Sequence, residues 1–142
     1  MVAMAMREVR SEVTLDTLKA ALERSWTRQT SANPVGWSEE NPAYGQCAVT
    51  ALVVNDFLGG RLVRVEATSH EEKVSHYFNE LQNGQRVDLT LAQFPAGTHF
   101  SQPEYRERDY VMSYAPTAER YRHLRDRVLL TLHALGIATM RK

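Results

Sequence analysis

Apolar residues recur at three- and four-residue spacing near both ends of the chain. In residues 14–26, Thr14 stands at the N-cap position and the apolar positions are Leu15, Leu18, Leu22 and Trp26. Residues 117–135 precede a glycine and carry Tyr121, Leu124, Val128, Leu129, Leu132 and Leu135. This spacing places the apolar side chains on one face of a helix. The pattern therefore predicts an amphipathic helix near each end of the chain.

A nearly continuous apolar run fills residues 45–58 and ends at Gly59 and Gly60. The run is longer than most strands, and glycine is the residue that most commonly follows the end of a helix. We predict a helix that is buried in the middle of the domain. The β-branched residues of the run leave a strand as the alternative.

Three shorter segments after this run are typical of strands, namely residues 61–67, 73–81 and 85–89. Asn83 and Gly84 lie between the second and the third, and this dipeptide is the strongest short hairpin signal in a sequence. The predicted fold is therefore α+β, in which a buried central helix packs on a small antiparallel sheet, with N- and C-terminal helices.

The remaining segments are less regular. Residues 27–44 form a polar loop that is long for a compact domain, and such loops are often functional. Residues 90–94 predict one helical turn before Pro95, and residues 96–115 give no clear order. We predict a single domain over residues 1–142.

The composition excludes several classes of protein. The 142 residues are 43% hydrophobic, which suits one domain with one core and excludes a disordered tail. Lys plus Arg and Asp plus Glu number 17 each, so no net charge attracts nucleic acid or an anionic membrane. The sequence shows no signal-peptide pattern, no apolar run that could span a bilayer and no phosphate- or dinucleotide-binding motif. We expect a cytoplasmic protein with no cofactor, no nucleic-acid partner and no membrane partner.

Cys47 is the single cysteine and lies at the predicted start of the buried helix. The first backbone N–H groups of a helix have no partner within the helix and carry partial positive charge. They therefore stabilise a thiolate, or an oxyanion that forms when sulfur attacks a carbonyl. Gly45, just before, lets the backbone pass close to a ligand. Cys47 is a candidate nucleophile, and simple packing of a buried cysteine is the alternative.

A nucleophile of this kind needs a base and a residue that orients the base. His76 precedes the predicted turn and Asp88 follows it. A two-residue loop would place them on opposite faces of the hairpin. A three-residue loop that ends at Gly84 pairs Phe78 with Asp88 and makes His76 and Asp88 diagonal neighbours on one face. The predicted triad therefore requires a bulged hairpin; a sheet histidine bonded to backbone and a turn-capping aspartate are the alternatives.

Three segments resemble the nucleophile, histidine and aspartate segments of transglutaminases, namely Tyr44-Gly45-Gln46-Cys47 with Val49, Ser75-His76-Tyr77-Phe78-Asn79 and Asp88-Leu89-Thr90. Residues 41–54, together with these segments, resemble more closely the YunG-like family of small bacterial proteins. The transglutaminase resemblance implies a papain-like core in which Cys47 is the nucleophile, His76 the general base and acid, and Asp88 the orienting residue. Ala48, where transglutaminases commonly have an aromatic residue, and the short interval from Cys47 to His76 favour a small substrate over protein cross-linking.

Four further residues are candidates for the site. Gln46 would donate a hydrogen bond to the oxyanion or, equally, hold the loop. Trp37 and Tyr44 would wall a substrate pocket, although pinning the long loop to the core is the slightly favoured interpretation. Asn79 is a weaker rival to Asp88 as the orienting residue. No CxxC or HxxxH spacing supports a metal site.

These residues predict a cysteine-dependent hydrolase or acyltransferase that acts on an amide-like carbonyl of a small molecule or peptide. A non-catalytic module that binds a peptide or metabolite on the same fold is the alternative. We expect the C-terminal helix to pack on its own domain, and a homodimer through this helix is a lesser alternative. The arginines of the C-terminal helix indicate a face that is exposed to solvent, namely Arg120, Arg122, Arg125 and Arg127.

Overall fold

The structure is a computed structural model that describes residues 13–137. Residues 1–12 and 138–142 of the predicted domain lie outside the described residues. Between them the chain forms, in order, α1 (Leu15–Ser25), α2 (Cys47–Leu58), β1 (Arg61–Ser69), β2 (Glu72–Glu80), β3 (Arg86–Val87), β4 (His99–Phe100), β5 (Glu104–Arg106), α3 (Arg108–Met112) and α4 (Ala115–Ala134). Short 3₁₀ helices lie at Arg28–Thr30 and Leu91–Gln93. The protein is α+β, as predicted.

The predicted boundaries of α1 and α2 are confirmed. The hydroxyl of Thr14 accepts a hydrogen bond from the N–H of Thr17 at 3.2 Å, and the hydroxyl of Thr17 accepts one from the N–H of Thr14 at 2.9 Å. This reciprocal capping fixes the start of α1. Gly59 adopts a φ of 72° directly after α2, a conformation that few other residues tolerate. The strand alternative for residues 47–58 is wrong.

The helix α2 is the centre of the core. Residues 49–54 of α2 are all buried, and α2 packs against β2 and α4, while α1 also packs on α4. The apolar stripe of α4 lies in this core, with Tyr121, Leu124, Val128 and Leu132 buried. A homodimer through α4 stays a prediction. Within residues 13–137, no helix combines the length and the apolar character that crossing a membrane requires.

The sheet is antiparallel and is ordered β3-β2-β1-β4, with β5 also paired to β1. A two-residue turn at His70 and Glu71 joins β1 to β2, with φ angles of 52° and 67°. The sequence did not predict this turn, because two successive positive φ angles usually require Asn, Asp or Gly. The short strands β4 and β5 lie in the segment that showed no clear order, and each exists only through its pairing with β1.

The hairpin between β2 and β3 has the predicted bulged register. Asn79 pairs with Val87, which places Phe78 opposite Asp88. The N–H of Leu81 donates to the carbonyl of Gln85 at 2.7 Å, so the loop contains three residues. Its last residue, Gly84, has a φ of 89°. The strand β3 is shorter than predicted because the chain turns away after Val87, and Asp88 then lies at the end of the strand.

Candidate functional site

Cys47 lies at the start of α2, which packs against β2, and His76 and Asp88 lie on β2 and just after β3. The Sγ atom of Cys47 lies 3.9 Å from the carbonyl oxygen of Ser75, the residue before His76. The Nε2 atom of His76 lies 2.6 Å from Oδ2 of Asp88. The bulged register thus brings the predicted base and its predicted orienting residue into direct contact.

The imidazole of His76 is held in one orientation by its surroundings. Its side chain is 0% exposed, and the rings of Phe78, Phe94 and Phe100 surround it with centroid distances of 6.1, 4.8 and 6.1 Å. Nε2 is bonded to Asp88, whereas Nδ1 is buried and has no conventional hydrogen bond to any residue described. Nδ1 is therefore the ring nitrogen that remains for Cys47.

The pKa of His76 reflects opposing influences. Burial lowers it, but the hydrogen bond with Asp88, together with the nearby negative charges of Cys47 and Asp88, outweighs burial and raises the pKa of His76 from 6.5 to about 9. The ring is therefore an imidazolium at neutral pH. An imidazolium next to a cysteine is an arrangement that stabilises a thiolate.

A second set of hydrogen bonds positions Asp88. Its Oδ1 accepts a hydrogen bond from the N–H of Thr90 at 3.3 Å. The side chain of Gln93 links the chain after Asp88 to the residues that precede Cys47. Its Nε2 donates to the carbonyl of Thr90 at 3.1 Å, and its Oε1 accepts from the N–H of Gly45 at 3.1 Å. The sequence predicted the helical turn that carries Gln93, but it contained no indication of these two partners.

The start of α2 is left open because its N-cap side chain bonds elsewhere. Gln46 makes no capping hydrogen bond to the helix. Its Oε1 accepts from the hydroxyl of Thr30 at 2.8 Å, and its Nε2 donates to the carbonyl of Thr27 at 3.0 Å. The Gln46 side chain thus holds the long loop, while the first N–H groups of α2, beginning at Cys47, have no partner within the helix.

Gly45 fixes the approach of the chain to Cys47. Its φ is 75°, and a Cβ at this position would lie 2.2 Å from Oγ of Ser31. Gly84 also has a positive φ, but a Cβ there would meet nothing within 4 Å.

We expect Gly84→Ala to lower the free energy of unfolding by about 1 kcal/mol and Gly45→Ala by about 2 kcal/mol, since only the latter adds a steric clash. Urea denaturation measures both; equal losses would contradict the close packing around Gly45.

A cavity of about 440 Å³ lies beside Cys47, within the usual size range of small-molecule sites. Apolar groups make up much of its wall, including Ala48, Val49, Val74, Phe94 and Pro95. Tyr44 also lines it. His76 and Asp88 instead line a neighbouring hollow of about 380 Å³, so the imidazole lies behind the wall of the larger cavity.

The other predicted residues occupy different places. The indole N–H of Trp37 donates to the carbonyl of Pro42 at 3.0 Å, and the guanidinium of Arg28 lies 5.4 Å from its ring centroid, so Trp37 braces the loop outside the cavity wall. Asn79 is buried, and its Nδ2 donates to the carbonyl of Ala51 at 2.9 Å. Asn79 thus joins β2 to α2, and Asp88 occupies the position next to His76.

The interpretation of the α4 arginines as a solvated face is correct for Arg122, which is exposed, but wrong for two others. Nε of Arg127 donates to the carbonyl of Ser25 at 2.8 Å. Arg120 is partly buried and lines the cavity beside Cys47. Its spacing of three and four residues from the buried Thr117 and Leu124 places it at the edge of the apolar stripe, which is the pattern that could have identified it.

Fold and site define a small α+β protein in which a cysteine at a helix start, a buried histidine and an aspartate meet beside a cavity. Among residues 13–137, no cluster of three or more His, Cys, Asp or Glu side chains suits a metal ion.

The sequence model of the family described as YunG protein matches residues 14–133, and the chain belongs to this family. The Uncharacterized protein YunG of Bacillus subtilis (strain 168) is 34% identical over 113 residues, which are 79% of this chain and 89% of that relative. No solved structure matches the chain.

Proposed function

We propose that the protein is a cysteine-dependent hydrolase or acyltransferase that acts on an amide-like carbonyl of a small molecule or peptide. The observation that carries the proposal is the 2.6 Å contact between Nε2 of His76 and Asp88, which leaves Nδ1 for Cys47. In this proposal the core is papain-like, or transglutaminase-like, with the nucleophile at a helix start and the base and orienting residue on adjacent strands. The cytoplasm, where a lone thiol stays reduced, is the proposed location.

In the first step, the thiolate of Cys47 attacks the carbonyl carbon, a C–S bond forms and the carbonyl π electrons move to oxygen. The open N–H groups at the start of α2 stabilise this oxyanion. The imidazolium of His76 then donates its Nδ1 proton to the leaving nitrogen. The C–N bond breaks, which releases the amine and leaves a thioester on Cys47.

In the second step, neutral His76 accepts a proton from water or an amine as that group attacks the thioester. The C–S bond breaks, and the thiolate and the imidazolium are restored. Asp88 holds the ring and stabilises its positive charge throughout. The size of the cavity favours a small substrate or a single side chain.

The test is the rate at which iodoacetamide alkylates Cys47 in the folded protein between pH 5 and pH 9. Because a neighbouring imidazolium stabilises the thiolate, we expect alkylation at pH 6.5 to be about tenfold faster than that of N-acetylcysteine in the same buffer. Cys47→Ala should take up no label, and His99→Gln, at an exposed histidine, should leave the rate unchanged. A rate no faster than that of N-acetylcysteine at every pH would rule out an activated nucleophile.

A non-catalytic binding module is the second candidate. The observation that favours it is the complete burial of His76 behind the wall of the cavity. For such a module, wild-type alkylation is slow and Cys47→Ala leaves ligand binding intact. The catalytic proposal requires the opposite result for the alkylation rate.

A further inference from the structure

The cavity beside Cys47 contains a single cationic side chain, Arg120, among the described residues that line it. The one acidic residue of the lining, Glu72, is exposed. No carboxylate lies within ion-pair distance of the Arg120 guanidinium anywhere in residues 13–137. Arg108 and Arg125, by contrast, pair with Asp56 and Asp126.

The guanidinium of Arg120 is positioned but not neutralised. Its Nη2 donates to the hydroxyl of Thr117 at 3.2 Å, whereas its Nε is buried with no hydrogen-bond partner. Burial lowers the pKa of Arg120, although the nearby Tyr114 and Cys47 act in the opposite direction. An arginine nonetheless stays cationic at neutral pH. A partly buried cation that no carboxylate neutralises is unfavourable, so an anion that enters the cavity gains a charged partner.

We propose that Arg120 determines substrate specificity and that the substrate is a small amide-like molecule with a carboxylate group, which pairs with Arg120 while Cys47 attacks the carbonyl carbon. This inference rests on the proposed function and adds the chemical class of the substrate. It gives the partly buried side chain of Arg120 a role in the same cavity as the nucleophile.

A carboxylate suits this cavity better than a phosphate. A phosphate dianion would bring two negative charges to one guanidinium, with Glu72 adding a third to the same lining. A carboxylate brings one charge, and its planar geometry matches the guanidinium fork. The apolar wall formed by Val74, Phe94 and Pro95 lowers the local dielectric constant and strengthens the pairing.

The experiment compares two alkylating agents of similar size, anionic iodoacetate and neutral iodoacetamide, and measures the ratio of their rate constants at Cys47. We expect Arg120→Gln to lower the iodoacetate-to-iodoacetamide ratio about tenfold, because the anionic reagent loses its charged partner. Arg120→Lys should retain much of the ratio. Arg122→Gln, two residues away on the exposed side of α4, should leave it unchanged.

The ratio separates this inference from the proposed function. A ratio in Arg120→Gln equal to that of the wild type overturns the role of Arg120 even if Cys47 is highly reactive. Slow alkylation by both reagents in the wild type counts against the proposed function, while a tenfold change of ratio still supports Arg120. A second measurement needs only the wild-type protein: succinate should protect Cys47 from iodoacetamide and neutral succinamide should not. Equal protection by the two, or none by succinate, also overturns the inference.

Discussion

Asp88→Asn destabilises the protein by about 3 kcal/mol at pH 6, and the difference from the wild type disappears as the pH rises through 9. The reason is the pairing of Asp88 with the His76 imidazolium, whose hydrogen bond is the largest of the influences that raise the pKa of His76 to about 9. Because the pKa in the folded state exceeds the value of 6.5 in the unfolded state, the stabilisation is complete below pH 6.5. It is lost when the folded protein releases the proton. Asparagine keeps a hydrogen-bond acceptor but removes the charge.

Urea denaturation at several pH values measures this difference, and an NMR titration of the His76 ring measures its cause. Without the carboxylate, burial dominates, so we expect the pKa of His76 to fall below 7 in Asp88→Asn. Asp126→Asn is the matched control, because Asp126 is 64% exposed and pairs with Arg125 at the surface. Such a pair contributes at most about 1 kcal/mol. An unchanged titration of His76 in Asp88→Asn would show that Asp88 does not hold the ring proton.

The contact between His76 and Asp88 could be predicted because it depends on local rules. Glycine at the third position of the loop fixes the bulged register, and the register decides which side chains share a face. The start of α2 at Cys47 was equally predictable, since an apolar run followed by Gly59 has few other solutions. These features need only residues that are close together in the sequence.

Other parts of the site depend on contacts between distant segments. Phe94 directly follows the 3₁₀ helix Leu91–Gln93, whereas Phe100 belongs to β4, which pairs with β1. Both rings lie next to His76. The hydrogen bond between Gln93 and the N–H of Gly45 joins residues that are 48 positions apart in the sequence. Arg120 reaches the cavity because of how α4 packs on α2. Amphipathic spacing places a residue near the edge of a stripe, but it does not specify what lies opposite.

His76→Gln slows the alkylation of Cys47 by iodoacetamide about tenfold at pH 6.5, an effect equivalent to about 1.4 kcal/mol. Glutamine is neutral and cannot supply the positive charge that stabilises a thiolate at this pH. At pH 10 the thiolate forms without that help, so the two proteins should react at rates within about threefold of each other. The convergence at high pH distinguishes a charge effect from a change in the accessibility of Cys47, which would slow the reaction at every pH.

His99→Gln controls for the general effect of losing a histidine, and a circular dichroism spectrum confirms that His76→Gln retains its helices. Asp88→Asn offers an independent route to the same loss of charge, because it leaves the imidazole in place but removes the group that keeps it protonated. If the imidazolium activates Cys47, both variants slow alkylation at pH 6.5 and both recover at pH 10. If His76→Gln reacts as fast as the wild type at pH 6.5, Cys47 owes its reactivity to the helix start alone, and the histidine and aspartate have no part in it.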